Sequence, residues 1–203
     1  MDAFKGFEVH FRTPFQIPDE EWAYFTSCIK LKNLEKNQTY FEPGDNFQEI
    51  GFVARGLLYT YFLNEAGEET VKNFSWEGRL ASSYGSILEK KPTHLGARAL
   101  EPSTLLTLTY EQLLKLYERH RCWERMGRKH AEQLYIDRER REVELLLLDT
   151  HSRYGEFCKH YSPIVDRIPQ YMIASYLGVT PVALSRNISK TRSHPVPKDT
   201  FPA

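Results

Sequence analysis

The residues with the clearest capacity for chemistry sit in one run, Gln170-Tyr-Met-Ile-Ala-Ser-Tyr-Leu-Gly-Val-Thr-Pro-Val-Ala-Leu-Ser-Arg-Asn-Ile-Ser189. That chemistry is recognition by hydrogen bonds and apolar contact. The spacing predicts two short helices joined by a tight turn. Ile173, Leu177, Val179 and Leu184 supply the core contacts, and Ala174 is small where the second helix must approach the first. Gly178 can take the left-handed conformation that ends a helix. Thr180 then caps the second helix, and Pro181 stands at its first position, where a missing N–H costs nothing. Thr180, Val182, Ser185 and Arg186 point away from the Leu184 side, and this is the face a recognition helix lays in a major groove. Arg186 can donate a bidentate pair to guanine O6 and N7, Ser185 can bond a base edge or a phosphate, and Val182 can touch a thymine methyl. Gln170 and Thr180, at helix N-termini, suit phosphate contacts, because backbone N–H groups there favour anions. The bland alternative is a helical hairpin with no nucleic-acid role.

Bond-making chemistry finds little support. His10, His94, His120, His130, His151, His160 and His194 are scattered, with no His-x-His pair and no nucleophile-elbow motif. Ser, His and Asp show no spacing that would make a triad recognisable. Cys28, Cys122 and Cys158 are too widely spaced for a disulfide framework or for the thiolate clusters that hold zinc or iron–sulfur centres, so they read as reduced structural thiols. No enzyme activity, metal or cofactor is expected.

The elements that must position the recognition run can be read along the chain. Pro18-Asp19-Glu20-Glu21 followed by Trp22, Phe25 and Ile29 predicts a short amphipathic helix with acidic residues in its first turn. From Gln38 to Thr109 the pattern changes to short β-rich runs at 39–41, 51–54, 57–63, 70–74, 95–100 and 105–109, punctuated by Pro-Gly, Asn-Glu-Ala-Gly, Glu-Gly and Lys-Pro. Even spacing of this kind predicts a closed β-sandwich or jelly roll. Turn residues then nearly vanish, and 110–148 should hold a short helix and a long one. Within it Trp123, Met126, His130, Leu134, Asp137, Arg141 and Glu144 or Leu145 recur at three or four residues, an imperfect heptad. Trp123, Met126, His130, Leu134 and Leu145 are the expected seam of a helical dimer; the alternative is that this helix packs on its own barrel. Arg138-Glu139-Arg140-Arg141-Glu142 reads as a solvated or salt-bridged face. A further helix over 150–161 should end at Ser162-Pro163.

Bulk properties agree with an α+β chain of two unequal domains. Hydrophobic residues are 41% and charged residues 27%, far from the profile of disorder. No run approaches the roughly 18 apolar residues of a membrane helix, and the N-terminal stretch lacks a signal-type apolar core, so a cytoplasmic protein without a membrane partner is expected. The formal charge is zero overall but uneven. Residues 1–109 carry 11 Lys and Arg against 15 Asp and Glu, residues 110–148 carry 9 against 8, and residues 149–203 carry 7 against 4. The basic C-terminal segment permits a nucleic-acid partner without proving one.

The run Arg167-Ile-Pro-Gln170, with Ile173-Ala-Ser-Tyr-Leu-Gly-Val-Thr-Pro181 and Leu184-Ser-Arg186, resembles the C-terminal domain of Crp/Fnr family regulators, especially an effector-orphan branch common in Bacteroidetes-like bacteria. Phe41-Glu-Pro-Gly-Asp45, Gly56-Leu-Leu-Tyr59 and Glu69-Thr-Val-Lys-Asn-Phe74 resemble strands of that family's cyclic-nucleotide-binding-type barrel, and the likeness runs from Pro18 to about Ile188. The resemblance implies a sensor barrel over 1–109, a short helix and long dimerisation helix over 110–148, and a helix-turn-helix DNA-binding domain over 149–203. It also implies transcription regulation by a homodimer on a two-fold-related site of double-stranded DNA, with RNA polymerase as a further partner and a small-molecule effector left unidentified.

Several positions depart from the family. Where cyclic-AMP-binding members carry a Gly-Glu pair for the ribose and an Arg-Ser pair for the phosphate, this chain has Gly78-Arg-Leu-Ala-Ser-Ser-Tyr84 and Lys91-Pro-Thr-His-Leu95. Polar groups of that ligand would be poorly matched, so cyclic AMP is not the expected effector. Arg79, Ser82, Ser83, Tyr84 and Arg98 could line a pocket for another small anion, or simply be solvated loop positions. His94, beside proline, reads as a surface residue and not a haem ligand, and the cluster-binding cysteines of oxygen-sensing relatives are missing. Asn187 stands where relatives place Ile or Val, and residues 191–203 show no strand alternation, so a frayed tail in place of a wing is expected.

Overall fold

The computed structural model describes residues 3–186. Asn187, Ile188 and the segment 191–203 lie outside the described residues. The chain divides into two compact units, Met1–Ala131 and Glu132–Ala203.

The first unit opens with helix α1 (Ala3–Phe7), a π-helical turn (Glu8–Arg12) and the short α2 (Thr13–Phe15), followed by α3 (Asp19–Cys28). Eight strands follow: β1 (Lys30–Leu34), β2 (Thr39–Phe41), β3 (Glu49–Arg55), β4 (Leu57–Leu63), β5 (Glu69–Trp76), β6 (Leu80–Ala81), β7 (Leu95–Ala99) and β8 (Ser103–Thr109), with α4 (Tyr84–Glu89) inserted between β6 and β7. They form two four-stranded antiparallel sheets, ordered β1-β8-β3-β6 and β2-β7-β4-β5, the jelly roll that the strand spacing predicts.

Period-2 alternation gives the two central strands of the first sheet, β3 and β8, two buried faces. Val53, Leu34, Ala81 and Leu105 face inward against Phe41, Leu58, Leu95, Ala97 and Ala99 of the second sheet. Ile50, Phe52 and Leu106 face the other way, into a second core with Phe7, Phe11, Ile17, Phe25, Leu116 and Trp123. The helices are thereby fixed to one side of the barrel by burial of apolar surface. Gly56 makes the β3–β4 corner at φ +104°, and a Cβ there would fall 2.2 Å from Ser103 Oγ, so only glycine fits. Ser103 in turn accepts the Leu57 N–H at 3.2 Å.

At the end of β8 the chain turns helical through a capping box. Thr109 accepts the Gln112 N–H at 3.2 Å and Gln112 Oε1 accepts the Thr109 N–H at 2.8 Å, which starts α5 (Tyr110–Arg119). The long helix α6 (Arg121–Leu147) contributes its first half to the first unit and its second half to the second. Asp149 then caps α7 (Thr150–His160), its carboxylate accepting the Ser152 N–H at 2.8 Å, and these bonds hold its pKa below the ordinary value. A 3₁₀ turn (Val165–Arg167) leads to α8 (Gln170–Leu177), and residues 181–186 open the next helix.

Candidate nucleic-acid interface

The second unit presents the expected contact residues around a hydrogen-bonded turn. Pro169 precedes α8, and Met172, Ile173, Ala174 and Leu177 are buried along one side of it. Gly178 ends the helix at φ +69°; its N–H reaches Ser175 O at 3.1 Å while the Val179 N–H reaches Ala174 O at 3.0 Å. Those two bonds make a Schellman motif, which consumes carbonyls that a helix end would leave unpaired. Thr180 follows at once, its Oγ1 accepting the Ala183 N–H at 3.2 Å as the cap of the next helix. Leu184 is buried, and on the far side Val182 is 61% exposed with Ser185 and Arg186 also exposed. Gln170 and Thr180 are both exposed at helix starts. Sequence reasoning missed Tyr171, a largely exposed aromatic beside Gln170 in the first turn of α8; its signal was an aromatic residue off the apolar stripe.

Five residues were expected in a dimer seam, and they divide between the two units. Trp123 is fully buried in the first unit, its ring 4.8 Å from that of Phe25, and Met126 is buried beside it. His130 stacks on Phe11 at 5.1 Å and 13°, with Phe15 at 6.0 Å. Burial lowers its pKa, and the charge of Arg79 pushes the same way against the hydrogen bond to Met126 O. Trp123 and Met126 are thus packed into the chain's own core, and His130 is partly buried beside it. Leu134 and Leu145 in the second unit are 42% and 46% exposed, in the company of exposed Tyr135, Ile136, Leu146 and Leu147.

The residues read as a ligand pocket are each committed to a different partner. Arg79 lies over the Trp76 ring at 4.7 Å. Ser82 Oγ donates to Glu49 O at 3.2 Å, and Tyr84 meets Tyr110 edge-on at 6.2 Å. Arg98 alternates with the core residues Ala97 and Ala99, so it projects from the opposite face of β7. There it pairs with Glu69 at 2.8 Å and donates to the hydroxyls of Tyr59 and Tyr61 at 3.3 and 3.2 Å, while Tyr59 donates to Glu69 at 2.9 Å. Desolvation and that carboxylate push the Tyr59 hydroxyl well above its ordinary pKa. Ser83 is fully buried, with its Oγ 2.6 Å from Thr93 Oγ1 and 3.0 Å from Ser86 Oγ. Thr93 also accepts the Leu95 N–H at 2.9 Å. The segments 78–84 and 91–95 are thus stitched together by their own hydroxyls. His94 is exposed.

An antiparallel two-sheet jelly roll of the cyclic-nucleotide-binding type, joined to a long helix and a helix-turn-helix, is the class of protein that this fold and site define. The sequence profile of the cyclic nucleotide-binding domain matches residues 31–120. The transcriptional activator Anr of Pseudomonas protegens is 31% identical over 104 residues, 51% of this chain and 42% of that protein. The regulatory protein HlyX of Actinobacillus pleuropneumoniae is 29% identical over 102 residues, 49% of this chain and 41% of that protein. The matched stretches therefore span less than half the length of these curated relatives. Among solved structures, FixK2 of Bradyrhizobium japonicum superposes with a TM-score of 0.71 at 16% identity, over 86% of this chain and 89% of that one. The c-di-GMP-responsive global regulator CLP of Xanthomonas campestris gives 0.69 at 16% identity, over 91% and 96%. At such identities these two likenesses speak for the fold. Over residues 31–120 the chain is thus similar to the cyclic nucleotide-binding domain, and over about half its length to these two regulators.

Proposed function

We propose that this protein is a sequence-specific DNA-binding transcription regulator that works as a homodimer on a palindromic site in the cytoplasm. Residues 1–109 act as the sensor barrel, 110–148 as the helical connector and 149–203 as the DNA-binding domain. The observation that carries this reading is the pairing of the Gly178 Schellman turn with the Thr180 cap. Together they hold Val182, Ser185 and Arg186 outward on a helix whose inner side is anchored by Leu184. A helix held this way can enter a major groove of about 12 Å width with a guanidinium facing base edges. Gln170 and Thr180 supply phosphate contacts that fix its register. The relatives named as transcriptional activator and regulatory protein support the same reading.

Leu134 and Leu145, three turns apart on α6 and both exposed, are the side chains on which the second copy would seat. Cyclic AMP is not the expected effector, a reading supported by the buried Ser83–Thr93 pair, which offers neither a carboxylate for a ribose nor a guanidinium for a phosphate. RNA polymerase is the expected further partner once the dimer is on a promoter. The test is selection of random duplexes by the purified protein, followed by sequencing. An enriched inverted repeat with half-sites about one helical turn, roughly 10 base pairs, apart is expected. Failure to enrich any duplex, with capture of other proteins instead, would favour a ligand-sensing or protein-interaction module without DNA binding.

A further inference from the structure

Within the second unit the charged stretch of α6 does more than face solvent. Arg141 lies with its guanidinium carbon 3.9 Å above the ring of Tyr176, and its Nη2 donates to the Tyr176 carbonyl oxygen. That carbonyl belongs to the last turn of α8, where a helix leaves its acceptors unpaired and carries the negative end of its dipole. Arg141 therefore caps the first recognition-domain helix from outside, two residues before the Gly178 turn and four before the Thr180 cap. The Tyr176 ring is held in turn by Phe157 at 5.1 Å and Tyr161 at 5.4 Å, and the Tyr161 and Tyr176 hydroxyls are hydrogen-bonded. Behind Arg141 stands Glu144, 6% exposed, with Arg141 Nη1 at 3.8 Å and Arg140 Nε at 3.8 Å. Arg140 is itself tied to Asp137 at 2.7 Å and lies 3.2 Å from His160 Nδ1.

Resting on the DNA-binding reading above, we propose that Arg141 is a positioning residue. It fixes the aim of the helix-turn-helix on the second half of α6 by clamping the ring and the carbonyl of Tyr176. Both contacts need the planar fork of arginine. Lysine is a point charge without the flat face that stacks on a ring and without a second donor at the right angle. The clamp also has slack, since Arg141 Nη1 is buried with no hydrogen-bond partner and only the longer ionic contact to Glu144. A small shift of α6 against α8, or a swing of the Arg141 side chain toward Glu144, would be transmitted through the Tyr176 carbonyl to the turn and on to the helix that bears Arg186. In a homodimer such a movement alters how well two recognition helices reach two half-sites at once, and leaves each helix's own contacts alone.

The experiment compares the full-length chain with Arg141→Lys and Tyr176→Phe in two measurements. Hydrogen exchange without DNA reads the Gly178 and Val179 amides. Fluorescence anisotropy reads the ratio of affinity for a duplex with two half-sites to that for a duplex with one. Arg141→Lys should speed exchange at those amides at least tenfold, leave peptides from α7 unchanged, and lower the affinity ratio at least tenfold with single-site affinity within twofold. Tyr176→Phe keeps ring and carbonyl and loses only the hydroxyl bond to Tyr161, so it should change the Gly178 and Val179 exchange and the affinity ratio much less than Arg141→Lys does. Unchanged exchange in Arg141→Lys overturns the proposal. So does equal damage by Tyr176→Phe, and so does global unfolding of Arg141→Lys by circular dichroism, which would make Arg141 a folding residue. A wild-type chain that binds no duplex would sink the DNA-binding reading alone, because the exchange measurement still decides the clamp.

Discussion

Glu21 on α3 accepts the indole N–H of Trp123 on α6 at 2.8 Å, and the same carboxylate receives Arg119 of α5 at 3.0 Å. One buried acidic group thus ties three helices over the outer face of the first sheet. Burial pulls its pKa upward, and the bonds from Trp123 and Arg119 more than offset this, leaving it below the ordinary carboxylate value. Glu21→Ala strands a buried indole N–H and should cost about 2 kcal/mol. Urea unfolding followed by Trp fluorescence would check it, and Glu21→Gln, which keeps an acceptor, should recover part of the loss.

Protonation of His130 should loosen the N-terminal segment. Its folded pKa is depressed from 6.5 first by desolvation and then by Arg79, so the neutral ring is the form that stacks on Phe11. The sign follows from linkage: the stabilisation is complete above about 6.5, and it is lost as the pH falls from there through the folded pKa. Thermal midpoints across that window should drop for the wild type and drop less for His130→Phe. A slope unchanged by the substitution would place the acid sensitivity elsewhere.

Thr93→Val should be felt at the barrel loops. It removes the hydroxyl that serves both Ser83 and the Leu95 N–H and leaves a buried donor without a partner, at about 1–3 kcal/mol. Denaturant midpoints measure that loss. Calorimetric titration of the wild type with cyclic AMP should meanwhile register no binding heat, and saturable heat would contradict the closed loop pair.

Thr180→Ala removes the cap of the helix that opens at Pro181 and should cost about 1 kcal/mol, whereas Thr180→Ser should be nearly neutral. The loss belongs to the second unit. Hydrogen exchange of peptides that include 181–186 should therefore accelerate while peptides from β3 and β8 hold their protection.

Local chemistry made much of this molecule readable in advance. The Gly178 turn, the Thr180 cap and the buried Leu184 follow from residue types at fixed offsets. Strand β1 escaped because Lys-Leu-Lys-Asn-Leu offers a single buried residue, Leu34, at a sheet edge. The expected seam shows a different limit. A three-to-four spacing states that a helix has an apolar side without stating what covers it, and Trp123, Met126 and His130 are covered by Phe25, Phe11 and their neighbours. The same limit applies to Arg98, whose face depends on the register of β7 against β4. The Arg141–Tyr176 clamp spans 35 residues and joins two elements whose angle no local pattern encodes.

The central claim is DNA recognition through the helix that bears Arg186. Fluorescence anisotropy of the purified full-length chain against promoter fragments from its own genome, at two salt concentrations and with Arg186→Ala, tests it most directly. Selective binding should weaken steeply as salt displaces phosphate contacts, and Arg186→Ala should cost about 1–3 kcal/mol on the selected site. Binding that Arg186→Ala leaves intact, or no salt-sensitive binding to any fragment, would contradict the account.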